Sequence, residues 1–124
     1  MKTLKEILIE KNVPDQNVYR VTTMHDLLAE LGLDIPDVIP VAVVLGPWGI
    51  FHKEIRNAVR LITKGDFYIL PSSIYELICV NEKEVSDVSF LIQMVKDVNE
   101  AEVKEEDQLS DYVFQIVNDD VVVI

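Results

Sequence analysis

Leu4, Ile7 and Leu8 fall on one helical face within the first dozen residues, and Pro14 ends the pattern. A short polar link over residues 15–20 follows. Thr22 or Thr23 is placed to cap a second helix, and Asp26 in its first turn suits the positive end of a helix dipole. Leu27, Leu28 and Leu31 would form its core face, and Gly32 its stop. Both helices are short, so packing against the rest of the chain must hold them. Residues 34–40 contain two prolines and read as an extended connector between a helical preface, 1–40, and an α+β body, 41–124.

The body opens with a continuous apolar run over residues 41–45, which predicts a strand buried on both faces. Gly46-Pro47-Trp48-Gly49 breaks it, and a third helix follows over residues 51–63 with Ile55, Val59 and Ile62 inward and Gly65 as its stop. Strands over 67–70 and 75–80 flank Pro71-Ser72-Ser73, a link short enough to favour an antiparallel pair. Ser86 then caps the longest helix, with Val88, Leu91, Met94, Val95 and Val98 on its inner face and an acidic exit over residues 102–107. Strands over 112–117 and 121–124 close the chain around Asn118-Asp119-Asp120. The order is ααβαββαββ. It predicts an α+β fold with a mostly antiparallel sheet of about five strands, helices on one face and the preface packed on the body.

Composition narrows the class. The 124 residues are 49% apolar, which suits one globular core and excludes a disordered chain. No apolar run approaches the roughly 20 residues of a membrane helix, and charges interrupt the first apolar stretch, so neither a membrane span nor a secretory signal is expected. The single cysteine, Cys79, lies within Leu77-Ile78-Cys79-Val80 and reads as a buried, inert thiol. These features point to the cytoplasm. The net charge of −11 is uneven: residues 1–80 carry ten acidic and eight basic side chains, residues 81–124 twelve and three. Such a field repels nucleic acid and anionic membrane, and it steers toward basic surfaces. Its bland counterpart is a solvated, solubilising face.

Three segments in order resemble an uncharacterised bacterial family of unknown function. Tyr68-Ile69-Leu70-Pro71-Ser72-Ser73-Ile74-Tyr75-Glu76 is similar to that family's YVLPSSIHE-like segment. Met94-Val95-Lys96-Asp97-Val98-Asn99 resembles its MVREVN-like helix end, and Leu109-Ser110-Asp111-Tyr112-Val113-Phe114 its LSDxVY approach to the last strands. The resemblance covers roughly residues 41–124 and leaves the first 40 without a counterpart. It implies a domain identity and no mechanism, and members of the family look like accessory proteins of bacteria and their mobile elements. Tyr75 stands where the family usually has histidine, so any acid–base or metal role of that histidine is missing here.

Candidate chemistry starts at Ser72 and Ser73. A reactive serine needs a base within reach and an oxyanion site, yet no G-x-S-x-G elbow surrounds them and the two histidines, His25 and His52, are distant in sequence. Their structural reading is a turn whose hydroxyls satisfy backbone groups. Glu76 would share a face with Ile78 and Val80, where a carboxylate needs a partner, with Arg56 or Arg60 as candidates; an ion pair of this kind or an exposed edge-strand residue is favoured over a catalytic acid. Lys53, Arg56, Arg60 and Lys64 follow spacings of three, four and four and make a basic stripe, which reads as the solvated side of the third helix, a grip for phosphates or a dock for the acidic half of a second copy. Trp48 reads as a core residue or as an aromatic anchor for a partner. No metal-ligand spacing and no nucleotide-binding signature is present, so no metal and no cofactor is expected; His52 and Glu54 beside Trp48 come nearest to a ligand set.

The leading expectation is a non-catalytic acidic module that docks on a basic protein surface, without binding nucleic acid or membrane directly. In its sharper form it is an inhibitor or nucleic-acid mimic acting on a nuclease or DNA-binding protein. Asp97, Glu100, Glu102, Glu105, Glu106, Asp107 and Asp111 would then present carboxylates at roughly phosphate-like spacing. The alternatives are a hydrolase-like enzyme built around Ser72, Ser73 and Glu76, and a homodimer formed through the basic stripe or a free strand edge.

Overall fold

The computed structural model describes residues 2–33 and 40–124. The connector expected at 34–40 therefore lies, but for Pro40, outside the described residues. Thr3 accepts a hydrogen bond from the Glu6 amide and caps α1, Leu4–Glu10. The capping role of Thr23 is also as expected: its hydroxyl accepts from the Asp26 amide at 2.9 Å and starts α2, Met24–Glu30. Two features of this region differ from the sequence reading. The end of the polar link and the three residues after it form a strand, β1, Arg20–Thr23, paired along the edge of β2, Val41–Leu45. The predicted core face of α2 is not a core face, since none of its residues is buried and Leu31 lies exposed beyond its end.

After β2 the chain makes a 3-10 turn, Pro47–Phe51, and His52 leads into α3, Lys53–Thr63. Lys64 takes the left-handed conformation that ends this helix, one residue before the expected glycine. Strands β3, Phe67–Leu70, and β4, Glu76–Asn81, form the antiparallel pair expected from their short link. The Asp87 side chain caps α4, Val88–Glu102, in place of Ser86, and strands β5, Phe114–Val117, and β6, Asp120–Val123, close the chain. Among the described residues the sheet has six strands in the order β1-β2-β4-β3-β5-β6, every pair antiparallel. The α+β class is as expected, with one strand more than the sequence suggests.

The helices do not share one face. Successive side chains of a strand point to opposite sides of a sheet, and β4 divides accordingly. Leu77 and Cys79 pack with Leu4, Ile7 and Leu8 of α1 and Val59 of α3, whereas Ile78 and Val80 pack with Leu91 and Val95 of α4. The expectation of a one-sided sheet is corrected for that reason: both sides of β3 and β4 carry apolar residues, and each needs a cover. Ala42, Val43 and Val44 of β2 are fully buried, as the unbroken apolar run implies. The inner face of α4 is Leu91, Val95 and Asn99, while Met94 and Val98, expected inside, are 38% and 44% exposed. Phe90 continues that outer stripe one turn earlier and is 70% exposed. Among the described residues no helix is long and apolar enough to cross a membrane.

Candidate functional site

The link between β3 and β4 places Ser72, Ser73 and Glu76 within one turn. The Ser72 hydroxyl donates to Glu76 Oε1 at 3.1 Å, and the Ser73 hydroxyl accepts from the Tyr75 amide at 3.0 Å. Both serines are thus engaged by the turn itself, and His52 is stacked against the Tyr19 ring instead, with centroids 4.9 Å apart. The pairing of Glu76 with Arg56 or Arg60 is not formed. Glu76 shares the face of Ile78 and Val80, and α3 packs on the other one. The cavity beside Ser72, bounded by Pro71, Met94 and Val98, holds about 80 Å³. Small-molecule sites usually hold about 300–1,000 Å³, so this one has room for little more than water.

The basic stripe divides in the same way. Arg56 is only 8% exposed, with its Nε donating to the Ile50 carbonyl at 2.7 Å and its Nη2 to the Asp119 carbonyl at 2.9 Å. The solvated reading of the stripe is wrong for this residue, because the chain wraps the β5–β6 turn over it. Arg60 is half-buried, 3.6 Å from Asp66 and stacked over the Phe67 ring, while Lys53 and Lys64 are exposed. Lys53, Arg56 and Arg60 join Lys5 along a polar groove of about 590 Å³, where Asp119 and Asp120 offset part of their charge.

The acidic residues gather around the end of α4 and the 3-10 turn Glu105–Asp107. Asp97, Glu100, Glu102, Glu105, Glu106 and Asp111 are exposed, and among the described residues none of them joins an ion pair. Asp107 differs, being partly buried and accepting from the Tyr75 hydroxyl at 3.2 Å while its carbonyl accepts from the Ile74 amide. The acidic turn is therefore docked onto the serine turn. Behind it, buried Asn99 holds the helix end in place. Its Nδ2 donates to the Ser110 carbonyl and to Asp111 Oδ1, and its own carbonyl accepts from Gln108. The acidic surface thus has a fixed backbone beneath it, which composition cannot reveal.

Trp48 faces inward for the most part, with its indole N–H donating to the Val13 carbonyl at 2.8 Å and its ring against Phe51. Its remaining surface closes a pocket of about 290 Å³ between residues 13–20, the 46–48 loop and Ile74-Tyr75. Gly46 shapes that loop at φ +86°, where a side chain would be strained and its Cβ would lie 2.9 Å from the Val18 carbonyl. Sequence reasoning missed this pocket, because its walls come from three segments as far as sixty residues apart. Within it Tyr19 donates to Asp15 Oδ1, which also accepts from the Asn17 amide. That hydrogen bond pushes the Tyr19 hydroxyl up to about 12 and lowers the Asp15 carboxyl. Burial likewise raises the Cys79 thiol well above its ordinary value, so its sulfur is protonated at neutral pH.

Residues 43–116, running from β2 to β5 and spanning both the serine turn and the acidic turn, match the model of a family of unknown function, DUF5688. The chain belongs to DUF5688. The matched region holds the two central strands, α3 and α4, and it leaves α1, β1, α2 and β6 outside. The pocket beside Trp48 thus joins the DUF5688 region to the segment that precedes it. No curated protein and no solved structure matches this chain. Among the described residues no group of three or more His, Cys, Asp or Glu side chains is arranged to hold a metal ion.

Proposed function

We propose that this chain is a non-catalytic binding module that docks its acidic face on a basic protein surface. The observation that carries the reading is the set of exposed carboxylates at Asp97, Glu100, Glu102, Glu105, Glu106 and Asp111, none of them in an ion pair among the described residues, on the end of α4 and the segment after it. Residues 81–124 hold twelve acidic side chains against three basic ones, so this part of the chain is predominantly negative. Fields of this kind speed encounter with an oppositely charged partner and orient it. The sharper form of the reading is occupation of the basic groove of a nuclease or DNA-binding protein in place of its nucleic acid. The engagement of Ser72 by Glu76, and of Ser73 by the turn backbone, favours binding over hydrolysis.

The test is capture from host lysate on the immobilised chain at low and high salt, beside a variant carrying Asp97→Asn, Glu100→Gln, Glu102→Gln and Glu105→Gln. A basic protein retained by the native chain, released by salt and ignored by the variant supports the reading. Retention that is indifferent to both salt and substitution overturns it, because screening over roughly 8 Å at physiological ionic strength must weaken an exposed electrostatic contact.

A further inference from the structure

The pocket beside Trp48 combines features seldom placed together by packing alone. Its walls are Tyr19, Trp48 and Tyr75 with Val18, Leu45 and Ile74, an apolar and aromatic surface left open beside a well-filled core. One carboxylate lines it and a second stands behind one of its walls. Asp15 lies on the wall with Oδ1 fixed by Tyr19 and Asn17, and among the described residues no donor reaches its Oδ2. Asp107 stands behind Tyr75, held by the hydroxyl of that ring, and Glu106 adds to the negative field there. The cation on the wall, Arg20, is paired with Glu30.

Such a combination selects a flat organic cation. Aromatic faces attract guanidinium groups, apolar walls accept the methylene stem, and a carboxylate oxygen with a free lone pair takes the N–H fork. A volume of about 290 Å³ is too small for a nucleotide and suits one long side chain. Lysine has the charge but lacks the planar group that stacks and forks. We infer that the pocket formed by Tyr19, Trp48, Tyr75 and Asp15 receives an arginine side chain of the basic protein partner. The inference rests on the acidic-docking reading and adds to it an anchor point. Tyr75 joins the two, since it lines the pocket and bonds to the acidic turn. The acidic face then attracts the partner and the pocket fixes its register.

Trp48 is the single tryptophan, so its emission reports on the pocket directly. The full chain is titrated with argininamide at constant ionic strength, beside lysinamide and norleucinamide. A saturable change in Trp48 emission is expected for argininamide with a dissociation constant of about 1 mM, the scale of a single side-chain ligand. Lysinamide and norleucinamide should bind more weakly. Asp15→Asn should weaken argininamide about fivefold or more by removing the charge-assisted acceptor. The four-carboxylate variant described above should bind it as the native chain does. If argininamide gives no saturable change, or if norleucinamide matches it, the inference is overturned. Loss of argininamide binding in the four-carboxylate variant alone also overturns it, placing the cation on the acidic face. The docking reading is judged separately, by the salt dependence of capture.

Discussion

Arg56 reaches from the middle of α3 to the turn of the last hairpin, where its Nη2 meets the carbonyl oxygen of Asp119 at 2.9 Å. Asn118 and Asp119 both have positive φ, so the turn carries backbone strain that a partner must help to hold. The Asp119 side chain is almost wholly exposed, and its 3.4 Å contact with Nη1 adds little. The bonds to the two carbonyls are the ones that count. Arg56→Ala should lower stability by about 2 kcal/mol, because it leaves the buried Ile50 carbonyl without this donor and frees the hairpin turn from its clasp. Arg56→Lys should recover only part, since an ammonium cannot donate to Ile50 and Asp119 in one planar fork. Urea midpoints decide this, and an Arg56→Ala midpoint equal to that of the native chain would show that the guanidinium is a bystander.

Asn99 should matter more than its neighbours on α4. It is 2% exposed and its amide donates to two acceptors across the chain reversal after the helix. Asn99→Ala is expected to cost about 1–3 kcal/mol. Asn99→Asp should cost at least as much, because it replaces the donor with a carboxylate facing Asp111 and a carbonyl oxygen. Glu100→Gln on the exposed side should be near neutral. Thermal denaturation of the three variants tests the order, and equal values would remove the idea that Asn99 fixes the acidic face.

The Tyr19–Asp15 bond has a pH signature. The Tyr19 hydroxyl ionises at about 12, above its ordinary value, so the neutral form is favoured in the folded state. Its contribution to stability is therefore complete below pH ~10, the pKa of a free tyrosine, and is lost as the pH rises through about 12. Asp15 runs the other way. Its folded value is lowered, so its contribution is present above about pH 4 and fades as the pH falls through the folded value. Alkaline difference spectra should show a late tyrosinate component that disappears in Tyr19→Phe and moves down in Asp15→Asn. A titration of the native chain with no component near 12 would contradict the bond.

Cys79 should be silent toward thiol reagents until the protein unfolds. It is fully buried between β2 and β3, in the core under α1 and α3, and its thiol is held protonated. Modification by a disulfide reagent should follow global unfolding, with a rate that rises across the urea transition. Fast modification of the native chain would mean that this core opens locally.

Ser72→Ala and Ser73→Ala separate the two readings of the serine turn. If the hydroxyls only close the turn, each change should cost about 1 kcal/mol, and capture of the basic partner should survive. Turnover of a simple ester by the native chain, abolished by Ser72→Ala with folding intact, would restore the hydrolase reading.

Most of the elements were legible because helices and strands write their period into the chain. The run at 41–45 read as a doubly buried strand, and a cap could be placed at Thr22 or Thr23 from their position before Asp26 and the leucines, with the structure selecting Thr23. β1 was not legible, since Arg20–Thr23 is four residues of mixed character between the polar link and the second helix, and it is a strand only because the edge of β2 offers it a ladder. The exposure of Met94 and Val98 had the same cause. A helix periodicity allows a broad apolar face, and contact with the sheet selects which part is covered.

The sequence by itself determined the α+β class, the inert cysteine, the acidic bias of residues 81–124 and the absence of recognisable metal or nucleotide motifs. Only the tertiary structure decided that helices cover both faces of the sheet, that Arg56 is a buried clasp, that Glu76 pairs with Ser72, and that Tyr19, Trp48 and Tyr75 meet around one pocket. Periodicity and composition are local properties, set by residues a few positions apart. Faces, clasps and pockets are made by segments tens of residues apart, and which of them meet is settled by burying all the apolar stripes at once.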